Sequence, residues 1–179
     1  MTVTVLLLVL VCLLVVTLVV GGMLVSAANR LDRLHVRTDA GWAALKAALD
    51  RRAVVARAVA VGMVDPDSAC RADRADTAAE LRAAADRAER AGRAEREIRE
   101  SELTRLLAAV DTSALPPDLA GELSDAEQRV VIARRVYNDA VRDTLSVRRL
   151  PAVRYFRLAG SAPAPDYFEI AEPGPRADR

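Results

Sequence analysis

An all-α protein is what this sequence predicts, with an N-terminal membrane-spanning helix that continues into a helical bundle. Three observations lead there. Residues Met1 to Asn29 contain no charged side chain. The stretch that follows repeats apolar residues at close to the 3.6-residue helical period. The segment after that is rich in Ala, Glu and Arg, which favour helix. The bundle is expected to hold three long helices, or four if the middle one is broken. The expected boundaries are 1–28 for the anchor, 29–149 for the bundle, and 150–179 for an aromatic tail with a frayed terminus.

From Val3 to Ala28 the side chains are almost all Val, Leu, Ala and Gly. At about 1.5 Å per residue this run exceeds the roughly 30 Å hydrocarbon core of a bilayer. A cleaved secretory signal is the rival reading, because Val25-Ser26-Ala27 resembles a small-residue cleavage site. Against it, Met1-Thr2-Val3-Thr4 carries no Lys or Arg, and the apolar run is longer than a signal core of about 7–15 residues. A continuously apolar run of this length is also unlike a buried core helix. Arg30, Arg33 and Arg37 flank the anchor on its C-terminal side. Basic flanks stay on the cytoplasmic side, so the N-terminus is expected outside and the body inside.

The rest of the 179 residues leaves room for one domain with a real core. With 26 basic and 25 acidic residues interspersed, the chain has no basic stripe for nucleic acid. Cys12 lies in the anchor and Cys70 beyond it, so an internal disulfide framework is not expected.

Leu31, Leu34, Thr38, Trp42, Leu45, Leu49, Ala53, Ala56 and Ala60 form one stripe of a long helix. Asp39, Lys46, Asp50 and Arg57 fall on another face, with Lys46 and Asp50 one turn apart. Nothing separates the anchor from this helix, which should end near Met63, before the break and new cap of Asp65-Pro66-Asp67-Ser68. Between Ser68 and Val110, charges at helical spacing pair Arg82 with Asp86, Glu89 with Arg93 and Glu95 with Arg99. Leu81, Ala84, Ala88, Ala91, Ala94 and Ile98 hold one phase, and Leu103, Leu106, Leu107 and Val110 hold another. A kink or break is therefore expected between Gly92 and Glu102. The alanine-rich first half should pack weakly or lie partly solvated.

Asp111 to Gly121, with Pro116-Pro117, reads as a connection. Ser124 and Glu127 make a capping box for a helix carrying Val130, Ala133, Tyr137, Val141 and Leu145, which ends before Pro151. In the tail, Tyr155, Phe156, Tyr167 and Phe168 must find cover, across the open end of the bundle or in the membrane interface.

These stretches resemble the LemA family. The resemblance rests on Asn29-Arg30-Leu31-Asp32-Arg33-Leu34, then Gly41-Trp42 and Leu49-Asp50-Arg51-Arg52. It rests further on the run from Glu127 to Val141, which carries an Arg-x-x-Tyr-Asn-Asp-x-Val pattern at Arg134, Tyr137, Asn138, Asp139 and Val141. Leu150-Pro151 and Asp166-Tyr167-Phe168-Glu169-Ile170 complete it. Where the family carries Leu-Ile-Pro-Asn-Leu-Val and a later His-Glu pair, this chain has Ala53-Val54-Val55-Ala56-Arg57-Ala58-Val59 and no histidine beyond His35. The resemblance implies a single-pass bacterial membrane protein whose helices form an antiparallel bundle of bromodomain-like arrangement, with no biochemical activity to carry over.

His35 has no second His or Cys at ligand spacing, so neither a metal nor a cofactor is expected. Cys70 lacks an identifiable His partner for nucleophilic chemistry. The carboxylates fall beside arginines at helical spacing, and no phosphate-binding glycine loop occurs. Tyr137, Asn138 and Asp139 are candidates either for structural hydrogen bonds or for docking a partner. Arg51, Arg52, Arg134 and Arg135 could bridge helices or meet an acidic partner. The expected function is that of a non-enzymatic, membrane-tethered interaction or scaffold protein, in contact with the lipid bilayer and another membrane or envelope protein. No small-molecule substrate is indicated. The alternative is an accessory or regulatory subunit of a membrane-associated enzyme such as a protease or phosphatase.

Overall fold

The computed structural model describes residues 2–63, 71–156, 158–160 and 163–170. Among them all regular structure is helical: α1 (Thr2–Gly62), α2 (Arg71–Arg90), α3 (Arg93–Ala108), a 3₁₀ turn (Thr112–Ala114), α4 (Pro117–Arg148) and α5 (Pro151–Tyr155). Cys70, the Asp65–Ser68 cap and the terminus from Pro173 lie outside the described residues. The chain divides into two compact units, one of Met1–Ala40 with Asp139–Asp166, the other of Gly41–Asn138 with Tyr167–Arg179.

Helix α1 runs without interruption from the apolar segment into the amphipathic one, as its lack of a cap or proline requires. It is long and apolar enough to cross a membrane, and its apolar window is exposed on all sides, unlike a core helix. In the first unit, Leu31 packs with Val147 of α4 and Val153 of α5. Two turns along α1, the buried hydroxyls of Thr38 and Thr144 lie 2.9 Å apart. Each is also within hydrogen-bonding reach of the carbonyl four residues earlier, so neither buried oxygen is left without a partner. Arg37 and Asp143 add an exposed pair at 3.0 Å.

In the second unit one core draws on four helices. It joins Ala53, Ala56, Val59 and Ala60 of α1, Leu81, Ala84, Ala85 and Ala88 of α2, Leu103 and Leu107 of α3, and Leu123 and Ala126 of α4. Every stripe residue assigned to α1 from Leu45 to Ala60 is buried. The alanine-rich helix lies partly solvated, as expected: it buries Ala78, Ala84, Ala85 and Ala88 on one face and leaves Glu80, Arg82, Ala83, Glu89 and Arg90 exposed. Small side chains contribute little area each, but they let neighbouring backbones approach closely. Gly41 does the same on α1, since a Cβ there would stand 3.4 Å from the Tyr137 Cα.

The middle helix breaks where the expected window begins, whereas the start of α4 differs from expectation. The break in the middle helix is complete and lies at Ala91-Gly92, at the start of the expected window. Gly92 is an extended N-cap whose carbonyl accepts from the Glu95 and Arg96 amides. Ile98, assigned to the first stripe, is 68% exposed, because α3 buries the face of Arg96, Glu100, Leu103 and Leu107 instead. Helix α4 opens at Pro117, within the stretch read as a connection, so Ser124 and Glu127 are interior residues and cap nothing. Proline's fixed φ suits the first helical position, Asp118 complements the helix N-terminus, and Leu119, Leu123 and Ala126 continue the apolar stripe backwards from Val130. The end of α4 before Pro151 is as the proline dictates.

Candidate functional site

Three features of the second unit are built from residues that drew attention in the sequence. The first is a buried polar network. The Arg52 guanidinium donates to Thr104 Oγ1 at 3.0 Å, to the Glu100 carbonyl at 3.3 Å and to Glu100 Oε2. Arg96 Nε reaches the other Glu100 oxygen at 2.8 Å, and Arg96 Nη2 reaches Asp50 at 2.7 Å. Two guanidiniums thus meet two carboxylates, and the charges cancel. The Arg52 Nε–H has no partner among the described residues. Arg52 therefore bridges α1 to α3 from a buried position and offers no surface to a partner.

Asp50 also accepts from Lys46 at 2.7 Å, the pair expected from their spacing. Partial burial pushes the Asp50 carboxyl up, but the hydrogen bonds from Lys46 and Arg96 outweigh it and hold the group below its ordinary value of 3.8. A depressed carboxylate contributes stability above its unfolded pKa of about 3.9, and that contribution is lost as pH falls through the folded value. Glu102 is lowered in the same direction, chiefly by the Arg87 hydrogen bond. Asp50→Asn is accordingly expected to be less stable than the native chain at neutral pH and to lose less stability between neutral pH and acid below pH ~4. Urea midpoints in detergent across that range check this; parallel pH profiles would contradict it.

The second feature is an aromatic cluster. Trp42 of α1 meets Tyr137 of α4 and Phe168 of the C-terminal segment, each edge-on at 5.7 Å between centroids. The Arg93 guanidinium sits 4.3 Å above the Trp42 ring and donates to the Tyr137 hydroxyl at 2.6 Å. Asn138 clasps Phe168 in both directions, donating to its carbonyl at 3.0 Å and accepting from its amide at 2.9 Å. Glu97 accepts from the next amide, Glu169, at 2.8 Å. An asparagine side chain here does what a neighbouring strand would do, pairing both backbone groups of one residue. Tyr137 is thus buried between Trp42 and Arg93, and Asn138 holds the C-terminal segment rather than a helix. Asp139 is exposed and pairs with Arg142 of its own helix at 2.9 Å.

The third feature is an open groove between α1 and α4. Ala44, Ala47 and Ala48 line one side, and Ala126, Ile132, Ala133 and Val136 the other. Arg51 and Glu122, 3.6 Å apart, stand at its rim with Asp125 and Arg129. Ile132 and Val136 are 54% and 51% exposed there. Of the remaining candidates, Arg134 is half-buried and Arg135 exposed. His35 is half-buried, and its Nε2 has no partner among the described residues. No group of three or more His, Cys, Asp or Glu side chains is placed to hold a metal ion among those residues.

Compared with protein-family models, curated proteins and solved structures, the chain finds no match.

Sequence reading missed Glu100 and Arg96, and it paired Arg93 with Glu89, which meets Arg57 instead. The first two carried a signal: Arg96, Glu100, Leu103 and Leu107 share one helical phase, so the charges lie on the buried stripe. Arg93 carried none beyond its place directly after Gly92.

Proposed function

We propose that this chain is a membrane-tethered interaction protein of LemA type, with no catalytic activity of its own. In this reading α1 crosses a bacterial membrane once, with the N-terminus outside and the helical domain in the cytoplasm, as the flanking Arg30, Arg33 and Arg37 favour. The shared core of α1, α2, α3 and α4 supports the bundle arrangement. The LemA reading gains support from Gly41-Trp42, Tyr137-Asn138 and Phe168: three separate stretches that carry the resemblance meet in one cluster.

The observation that carries the function is the groove. Its alanine walls let a helix backbone approach closely, its exposed Ile132 and Val136 supply apolar contact, and its rim offers both signs of charge. It suits a helix of another membrane or envelope protein. A photo-crosslinking residue in place of Ala47 is expected to capture a discrete partner in cells, and Val136→Glu to abolish that capture without shifting the urea midpoint. The same crosslinker in place of the exposed Ile98 serves as the control. Equal capture from both positions, or capture that survives Val136→Glu, would remove the groove from the mechanism.

A further inference from the structure

Tyr155 and Phe156 remain uncovered. They stack edge-on at 5.0 Å, and Tyr155 is 82% and Phe156 47% exposed. Leu150, which caps α5 at its other end, is 45% exposed. In contrast Val153, in the middle of α5, is buried against Leu31 and Val147. The short helix therefore has one face seated on the first unit and an apolar-aromatic remainder facing away from it, beside Arg149 and Arg154.

Its place along α1 decides what faces that remainder. Leu31 and Leu34, the α1 residues of this cluster, follow Ala28, the last residue of the apolar run, by three and six positions. At 1.5 Å per residue they stand about 4.5 and 9 Å beyond it along the helix axis. The headgroup region adds roughly 5–7.5 Å to each side of the hydrocarbon core, so with the core boundary at Ala28 the Leu31 end of the cluster, on which Val153 sits, stands at headgroup depth and Leu34 just beyond it. Aromatic residues with a polar edge are favoured in that layer, and arginines there reach lipid phosphates while their stems stay in the apolar boundary. Arg30 and Arg33, one turn apart on α1, bring the same charge to the same level.

The geometry points to α5 as a second membrane contact: Leu150, Tyr155 and Phe156 insert into the interfacial layer beside the α1 span, and Arg149 and Arg154 engage anionic lipid phosphates. The inference rests on the reading of α1 as a span, and it fixes how the first unit meets the bilayer.

The test uses the full chain with Cys12→Ala and Cys70→Ser, reconstituted in vesicles of phosphatidylcholine alone or mixed with phosphatidylglycerol. An environment-sensitive dye is placed at Tyr155→Cys, at Phe156→Cys, or at Met23→Cys within the span, and quenched by nitroxide-labelled lipid. The Tyr155 and Phe156 probes are expected to emit in the blue and to be quenched most by nitroxide at headgroup depth, more strongly with phosphatidylglycerol. Arg149→Gln with Arg154→Gln should abolish that increase; its persistence would remove the arginines from the contact. If Met23 is quenched while both α5 probes emit as in water, the inference fails and the span stands, as it would if this patch faced a protein instead. If Met23 is also unquenched, the span reading fails and takes the inference with it.

Discussion

Replacing Glu100 with alanine is expected to destabilise the chain by about 3–5 kcal/mol, the cost of stranding a buried charge. The carboxylate is fully buried and receives both Arg52 and Arg96, one on each oxygen. Without it Arg96 retains Asp50, but Arg52 keeps only the Thr104 hydroxyl and a backbone carbonyl, which cannot balance a guanidinium held away from water. Arg52→Ala should cost less, because Glu100 would still be paired with Arg96. Glu100→Gln should fall between native and alanine, since an amide can accept from one guanidinium but neutralises neither. Urea unfolding of the full chain in detergent, followed by circular dichroism, ranks the three variants. Equal losses for Arg52→Ala and Glu100→Ala would show that the two arginines do not share one carboxylate in solution.

The network's value lies as much in position as in stability. Ala44, Ala47, Ala48 and Arg51 of the groove lie on the same helix as Asp50 and Arg52, so rotation of α1 about its axis would move the groove wall and the buried charges together. An aliphatic stripe tolerates a small rotation, because dispersion contacts have no preferred direction. Four charged groups with fixed hydrogen-bond geometry tolerate far less. A variant that breaks the network is therefore expected to weaken partner capture at the groove even where the chain stays helical.

The helical class and the continuous α1 were legible because each depends on a local rule: an uncharged run long enough to span, then a stripe of period 3.6 with one side buried. The later boundaries depended on competition between local rules. Ser124 and Glu127 form a valid capping pattern, but Pro117 also suits a first helical turn, and the apolar stripe through Leu119, Leu123 and Ala126 favours the earlier start. The position of the α2–α3 break was obscured because alanine satisfies almost any face: Ala91 and Ala94 extend the α2 phase on paper, while α3 turns its Arg96 and Glu100 inward. The aromatic cluster could be read only as a list of parts. Trp42, Tyr137 and Phe168 are far apart in sequence, and no periodicity within one helix reports contact with another segment.

Phe168→Ala is the second substitution expected to have a large effect, about 3 kcal/mol, at the lower end of the range for a buried phenylalanine. The ring is almost fully buried against Trp42, and its loss opens space beside an aromatic pair that cannot fill it without leaving the edge-on geometry. The value sits at the low end because the segment carrying Phe168 has no regular structure and can settle into part of the space. Asn138→Ala removes the two hydrogen bonds that hold the same residue and should cost about 1–3 kcal/mol at 0.5–1.5 kcal/mol for each bond. Since both substitutions release one segment, the double variant should lose clearly less than the sum of the single losses. Limited proteolysis gives an independent reading: cleavage between residues 158 and 170 should accelerate in each variant while the helices stay intact. Additive losses with unchanged cleavage would mean that Asn138 and Phe168 act separately, and that the clasp does not hold the tail.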